Sequence, residues 1–184
     1  MKTRIIAGII LIAAVGLVSF RVIERKSVKR TLFDSQPTGV VYIIVDKSDY
    51  ELRVYDAEGW YATYPVVFGS KSLDDKQMEG DRKTPEGTFK ILNKRPHNKW
   101  HRIMGLDYPT KESWEKFKQR KARGVIPSAA RIGGGIAIHG TWPNDNIVVD
   151  DFTNWTQGCV SLKNEDLDEI FTFVPIGTKV IIRR

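Results

Sequence analysis

The sequence predicts a mostly β domain with one or two short helices, α+β in a broad sense, behind an apolar leader. Three observations lead there. Between residues 40 and 68, runs of β-branched and aromatic side chains alternate with turn residues, the pattern of an antiparallel meander rather than a βαβ unit. Thr110 to Arg123 is charged and free of Pro and Gly, as an exposed helix is. Ile5 to Phe20 is an uncharged apolar run of sixteen residues. At 184 residues, a single domain is expected.

The leader comes first in the chain. Lys2 and Arg4 precede its apolar run, as in an export signal. Sixteen residues fall short of the roughly 20 of a comfortable membrane span. Val18-Ser19-Phe20 is a poor cleavage site, which favours an uncleaved anchor. A buried helix is a weak alternative because the segment has no polar face. Residues 1–30 therefore read as a signal peptide or N-terminal membrane anchor with a basic flank, residues 31–39 as a tether, and residues 40–184 as the domain. An exported protein of the periplasm or cell envelope is expected, held to the membrane by this segment. Seven of the 29 Lys and Arg residues lie in the first thirty, leaving 22 bases against 21 acids beyond them. The basicity belongs to the leader, so no nucleic-acid partner is implied.

Val40 to Val45 reads as a strand, Glu51 to Tyr55 as a half-buried strand, and Trp60 to Phe68 as a third, reached through the turn Asp56 to Gly59. Lys71 to Lys83 is a polar loop that runs into the turn Thr84-Pro85-Glu86-Gly87. A short strand follows through Phe89, Ile91 and Leu92. The helix at 110–123, closed by Gly124, packs by one edge through Trp114 and Phe117 and has the character of a flap between core strands. Gly133-Gly134-Gly135 has no helix after it, so it marks close backbone approach and not a nucleotide loop. Ile136 to His139 is a short strand ending on a histidine. Asn164 is the expected N-cap of a helix over 165–173, and Val180 to Ile182 makes the last strand.

The chain has one cysteine and three histidines. A lone thiol excludes an internal disulfide and leaves two readings, a small buried hydrophobe or a nucleophile. A nucleophilic cysteine needs a base or positive charge near it. His139, at a strand end, is placed to face a cleft. Gly158 keeps the approach to the Cys159 sulfur open and lets backbone N–H groups point at an oxyanion. The residues alone leave the pairing of 139 with 159 open.

Ile138-His139-Gly140-Thr141, then sixteen residues from Gly140 to Trp155, then Thr156-Gln157-Gly158-Cys159-Val160 resembles the YkuD-type L,D-transpeptidase signature. The loop Gly80-Asp81-Arg82-Lys83-Thr84-Pro85-Glu86-Gly87-Thr88-Phe89 resembles the same family. So do Val45-Asp46, the strand Leu52 to Tyr55, and Tyr64-Pro65-Val66 through Gly69. The resemblance spans roughly residues 40–184.

It implies a β-sandwich-like catalytic fold acting on peptidoglycan stem peptides. Cys159 would be the nucleophile and His139 the base, its ring held by a backbone carbonyl near Gly140. Gly158, Gln157, Thr156, Gly140 and Trp155 would line the oxyanion or substrate site. No metal or cofactor is implied, and a monomer is expected. Two positions depart from the family: Gln157 replaces a frequent second histidine, and Ser161 replaces a frequent arginine, which questions the substrate-carboxylate contacts. Transfer to water, as in an L,D-endopeptidase or carboxypeptidase, is an alternative, and so is an inactive wall-binding module. His97 and His101 share a helical spacing, but no third metal ligand accompanies them. Trp142 and the acidic Asp145, Asp150 and Asp151 read as core and solvated loop.

Overall fold

The structure, a computed structural model, describes residues 23–30 and 36–184. The apolar run of the leader lies outside these. Among the described residues, no helix is long and apolar enough to cross a membrane.

β2 (Tyr42–Asp46), β3 (Glu51–Asp56) and β4 (Gly59–Val67) form the expected antiparallel meander. Strict alternation puts Leu52 and Val54 of β3 into the core with no exposed surface. β9 (Lys179–Arg183) lies parallel to β2 and antiparallel to β5 (Gly87–His97). β5 changes partner midway: Gly87 to Lys90 pair with β9, and Ile91 to His97 pair with β6 (His101–Leu106) across a register shift. β7 (Ala137–His139) pairs antiparallel with β6 and parallel with β8 (Val160–Leu162). The far end of β4 then pairs with β8, Val66 opposite Leu162.

Eight strands thus close into a barrel-like sheet, with β1 (Val28–Lys29) added outside on β4. The expectation of a sandwich is corrected to this closure. β4 and β5 each belong to both halves, so the strands form one ring and not two facing sheets. One apolar cluster fills it, from Ile43 and Leu52 through Phe89, Met104 and Ile138 to Leu167 and Ile170.

Three short helices occur among the described residues. α1 (Lys111–Ala122) starts at Thr110, whose hydroxyl accepts from the Ser113 N–H. It buries Phe117 and leaves Trp114 half-exposed, as its sparse apolar edge predicts. α2 (Ile147–Asp150) is a single turn that was not foreseen. α3 (Asn164–Phe173) is capped by Lys163, so Asn164 is its first residue and not its N-cap. The Asn164 side-chain oxygen is instead used by the Thr141 N–H at 3.0 Å. His97 and His101 face each other across the β5–β6 hairpin and share no helix.

The described part of the basic flank packs on the domain. The Arg25 guanidinium donates to the carbonyls of Tyr50 (2.7 Å) and Val149 (2.9 Å), and stacks over Phe152 at 4.0 Å. Arg30 bridges both oxygens of Asp56 at 3.0 Å. Arg25→Ala leaves half-buried carbonyls unsatisfied and is expected to cost about 1–3 kcal/mol. Lys26→Ala, on an exposed side chain, is expected to cost nothing measurable. Chemical denaturation of the two variants checks this, and equal midpoints would contradict the docking of the flank.

Candidate active site

β7 ends on His139, and β8 begins one residue after Cys159. Their parallel register sets Ile138 opposite Val160 and His139 opposite Ser161. Two residues twenty apart in sequence thereby stand diagonally on neighbouring strands, His139 at the end of β7 and Cys159 just before the start of β8, and both line one cleft of ≈ 360 Å³.

His139 is 1 % exposed. Its Nδ1 lies 2.7 Å from the Gly140 carbonyl oxygen. A carbonyl only accepts, so Nδ1 carries the proton and Nε2 keeps its lone pair. The same carbonyl accepts from the Ser161 hydroxyl at 3.3 Å. Trp100 stacks on the imidazole at 4.7 Å, and Trp155 meets it edge-on at 5.3 Å. Burial pushes the imidazole down to about 4, against the Gly140 hydrogen bond.

Cys159 is half-buried. Its sulfur lies 3.6 Å from the Gly135 carbonyl. Burial pushes the thiol up, while the Ala137 N–H and the charge of Lys76 pull it down. Burial thus favours the neutral form of both the thiol and the imidazole.

The loop before Cys159 is shaped by Thr156. Its hydroxyl accepts from the Gly158 N–H at 3.1 Å and donates to the Cys159 carbonyl at 2.9 Å. The Gly158 amide, one of the backbone N–H groups expected near an oxyanion, is engaged by Thr156. Gly158 has φ +122°, and a Cβ there would stand 2.6 Å from the Lys83 carbonyl. The motif loop 80–87 therefore packs directly under the cysteine loop. Asp81 organises it, accepting from Lys76 Nζ (2.8 Å) and from the backbone of Gln77 (2.6 Å), Met78 (3.1 Å) and Lys83 (3.0 Å).

Of the residues named from the sequence, Cys159, His139, Thr156, Gln157 and Trp155 line the cleft. Gly140 acts from behind it, through its carbonyl. Trp142 also lines it, packed on Trp155 at 3.9 Å. Asp150 faces away and pairs with Lys163 at 2.8 Å. Among the described residues, no group of three metal-ligating side chains is present. Trp100, Lys99 and Lys76 were missed. The cluster His97-x-x-Trp100-His101 was the signal available for the first of these.

Residues 40–182 match the YkuD family, the L,D-transpeptidase catalytic domain. YqjB of Bacillus subtilis (strain 168), a candidate L,D-transpeptidase, is 30 % identical over 149 residues, covering 78 % of this chain and 72 % of YqjB. The helical cell shape determining protein Pgp2 from Campylobacter jejuni superposes with a TM-score of 0.54 at 26 % identity, covering 78 % of this chain. This chain spans 47 % of the Pgp2 chain, so less than half its length is matched. An L,D-transpeptidase from Mycobacterium tuberculosis H37Rv shares the fold at 16 % identity, with a TM-score of 0.52 and coverage of 79 % and 58 % of the two chains.

Two outcomes are expected of the site. The His139 imidazole is neutral in the fold down to about 4, against an ordinary value of 6.5. Its contribution is complete above pH 6.5 and is lost as pH falls towards 4, by about 3 kcal/mol. His139→Gln should flatten that part of the stability–pH curve, and parallel curves for the two proteins would refute the burial. Gly158→Ala should cost about 1–3 kcal/mol in denaturant unfolding, through strain at a positive φ against Lys83.

Proposed function

The chain belongs to the L,D-transpeptidase catalytic domain family, and from that footing we propose that it is a peptidoglycan L,D-transpeptidase of the cell envelope, acting through a Cys159 thioester. The observation that carries this reading is the parallel β7–β8 register, with the Nδ1 of His139 fixed on Gly140.

Cys159 Sγ attacks the amide carbonyl that follows the L-centre of a tetrapeptide stem, and His139 Nε2 takes the thiol proton. Burial favours the neutral thiol and the neutral imidazole, which supports general-base attack over attack by a preformed thiolate. The Cys159 N–H stabilises the oxyanion, since the Gly158 amide is held by Thr156. The C–N bond breaks, His139 returns its proton to the leaving amine, and the thioester remains. An acceptor amine then attacks the thioester, His139 takes its proton, and the sulfur leaves and is reprotonated. Water in place of the amine gives the hydrolytic outcome with the same residues.

Mass spectrometry of the full chain with a carbapenem and with a tetrapeptide tests this. A covalent adduct on Cys159, absent in Cys159→Ala, and loss of the terminal D-amino acid are expected. His139→Ala should slow acylation by about 10²–10⁴-fold. Product masses with and without an added amine separate transfer from hydrolysis. A folded protein that forms neither adduct nor product would be the wall-binding module instead.

A further inference from the structure

The cleft that holds Cys159 and His139 has aromatic walls from Trp100, Trp142 and Trp155, and a single cationic side chain among its described lining residues, Lys99. Lys99 is exposed and has no ion-pair partner among the described residues. The neighbouring lysines differ. Lys76 is buried against Asp81 at 2.8 Å, and Lys83 pairs with Asp74 at 3.0 Å. An exposed lysine without an ion-pair partner among the described residues, at the mouth of a largely aromatic cleft, is available to meet an anionic group.

We propose that Lys99 is the residue that binds a substrate carboxylate beside the scissile amide. The inference rests on the proposed transpeptidase reading and adds to it the anionic group that is recognised and the residue that recognises it.

Placement supports it. Lys99 sits at the tip of the β5–β6 hairpin, where its own N–H and that of Trp100 both lie 3.2 Å from His97 Nδ1. The Trp100 ring is stacked between His97 (4.5 Å) and His139 (4.7 Å). The Trp100 carbonyl accepts from the Gly140 N–H at 3.2 Å, and His101 pairs with Asp168 of α3 at 2.7 Å. The turn that presents the ammonium is therefore built onto the base, and a flexible side chain starts from a fixed backbone. Position 161 cannot serve in its place. Ser161 has no exposed surface and spends its hydroxyl on the Gly140 carbonyl. A positive charge at this cleft is thus available from the hairpin and not from the strand that follows the cysteine.

Equilibrium binding tests this on the full chain carrying Cys159→Ala, read by the fluorescence of the cleft tryptophans. The probes are one tetrapeptide with a free C-terminal carboxylate and the same peptide as its C-terminal amide. The carboxylate form should bind about tenfold more tightly, a preference that shrinks as salt rises. Adding Lys99→Met should erase the preference, and Lys99→Arg should keep it. A preference that survives Lys99→Met, or is absent with Lys99 in place, overturns the proposal. Turnover of both peptides by the Cys159 protein, in the absence of any preference, would sink Lys99 and spare the transpeptidase reading. A Lys99-dependent preference without turnover would do the reverse, and binding of neither peptide would overturn both.

Discussion

The site depends on one backbone group, the carbonyl of Gly140. It accepts from His139 Nδ1 and from the Ser161 hydroxyl, and so ties the last residue of β7 to β8 by side chains as well as by the parallel ladder. The residue that supplies it must itself be small. A Cβ at position 140 would stand 2.2 Å from the Asn164 side-chain oxygen, which the Thr141 N–H uses. Barrel closure, base orientation and the start of α3 therefore meet at one point. The hydrogen bond that orients the imidazole is to main chain, with no carboxylate partner among the described residues, and Trp100 and Trp155 pack on the ring.

The cysteine loop is held from the other side by buried polar groups that a soluble barrel would normally avoid. Lys47, 1 % exposed, pairs with Glu86 at 2.6 Å, and Lys76 pairs with Asp81. Such pairs contribute little net stability, because desolvation offsets their attraction. Their directional hydrogen bonds fix the shape of a loop that has no regular secondary structure. Although burial opposes it, the hydrogen bonds from Lys76 and the backbone keep the Asp81 carboxyl below its ordinary range. That loop brings the Lys83 carbonyl so close to Gly158 that a Cβ there would stand 2.6 Å from it, so the motif at 80–87 supports the motif at 156–159.

Much of this was legible in the sequence, and the exceptions share a cause. The meander, α1, α3 and the last strand alternate or cycle because each buries one face, and burial is what periodicity reports. The outer half of β5 and all of β6 were not recognised. Beyond Ile91 the hairpin is largely exposed, its register shifts between Ile91 and Asn93, and Pro96 sits near its tip. α2 has four residues and too few turns for any period. His139 and Cys159 were found through a resemblance, because their pairing depends on a parallel register between strands of three residues each. The buried Lys76 looked like one charge of the polar loop 71–83, and the exposed Lys99 carried no pattern of its own. Sequence pattern does not separate a lysine that is paired inside from one that is unpaired at a cleft.

The same register explains why Ser161 is compatible with the site although many family members carry arginine there. Position 161 faces His139 across the ladder and is fully buried, so its side chain has a backbone carbonyl to satisfy and no route into the cleft. A serine does this in the space available. An anion-binding charge must then come from elsewhere. Trp100, stacked on the imidazole, makes the β5–β6 hairpin a rigid extension of the base and places the adjoining Lys99 at the cleft. On the proposed reading, the resting site has a raised thiol, a lowered imidazole and no charge on the reacting pair. Charge would appear there only as the sulfur attacks, beside the Ala137 N–H and within the electrostatic reach of Lys76. A substrate anchored by its carboxylate at the rim would bring its own negative charge to the mouth of the cleft. It would leave the interior neutral until bond formation begins.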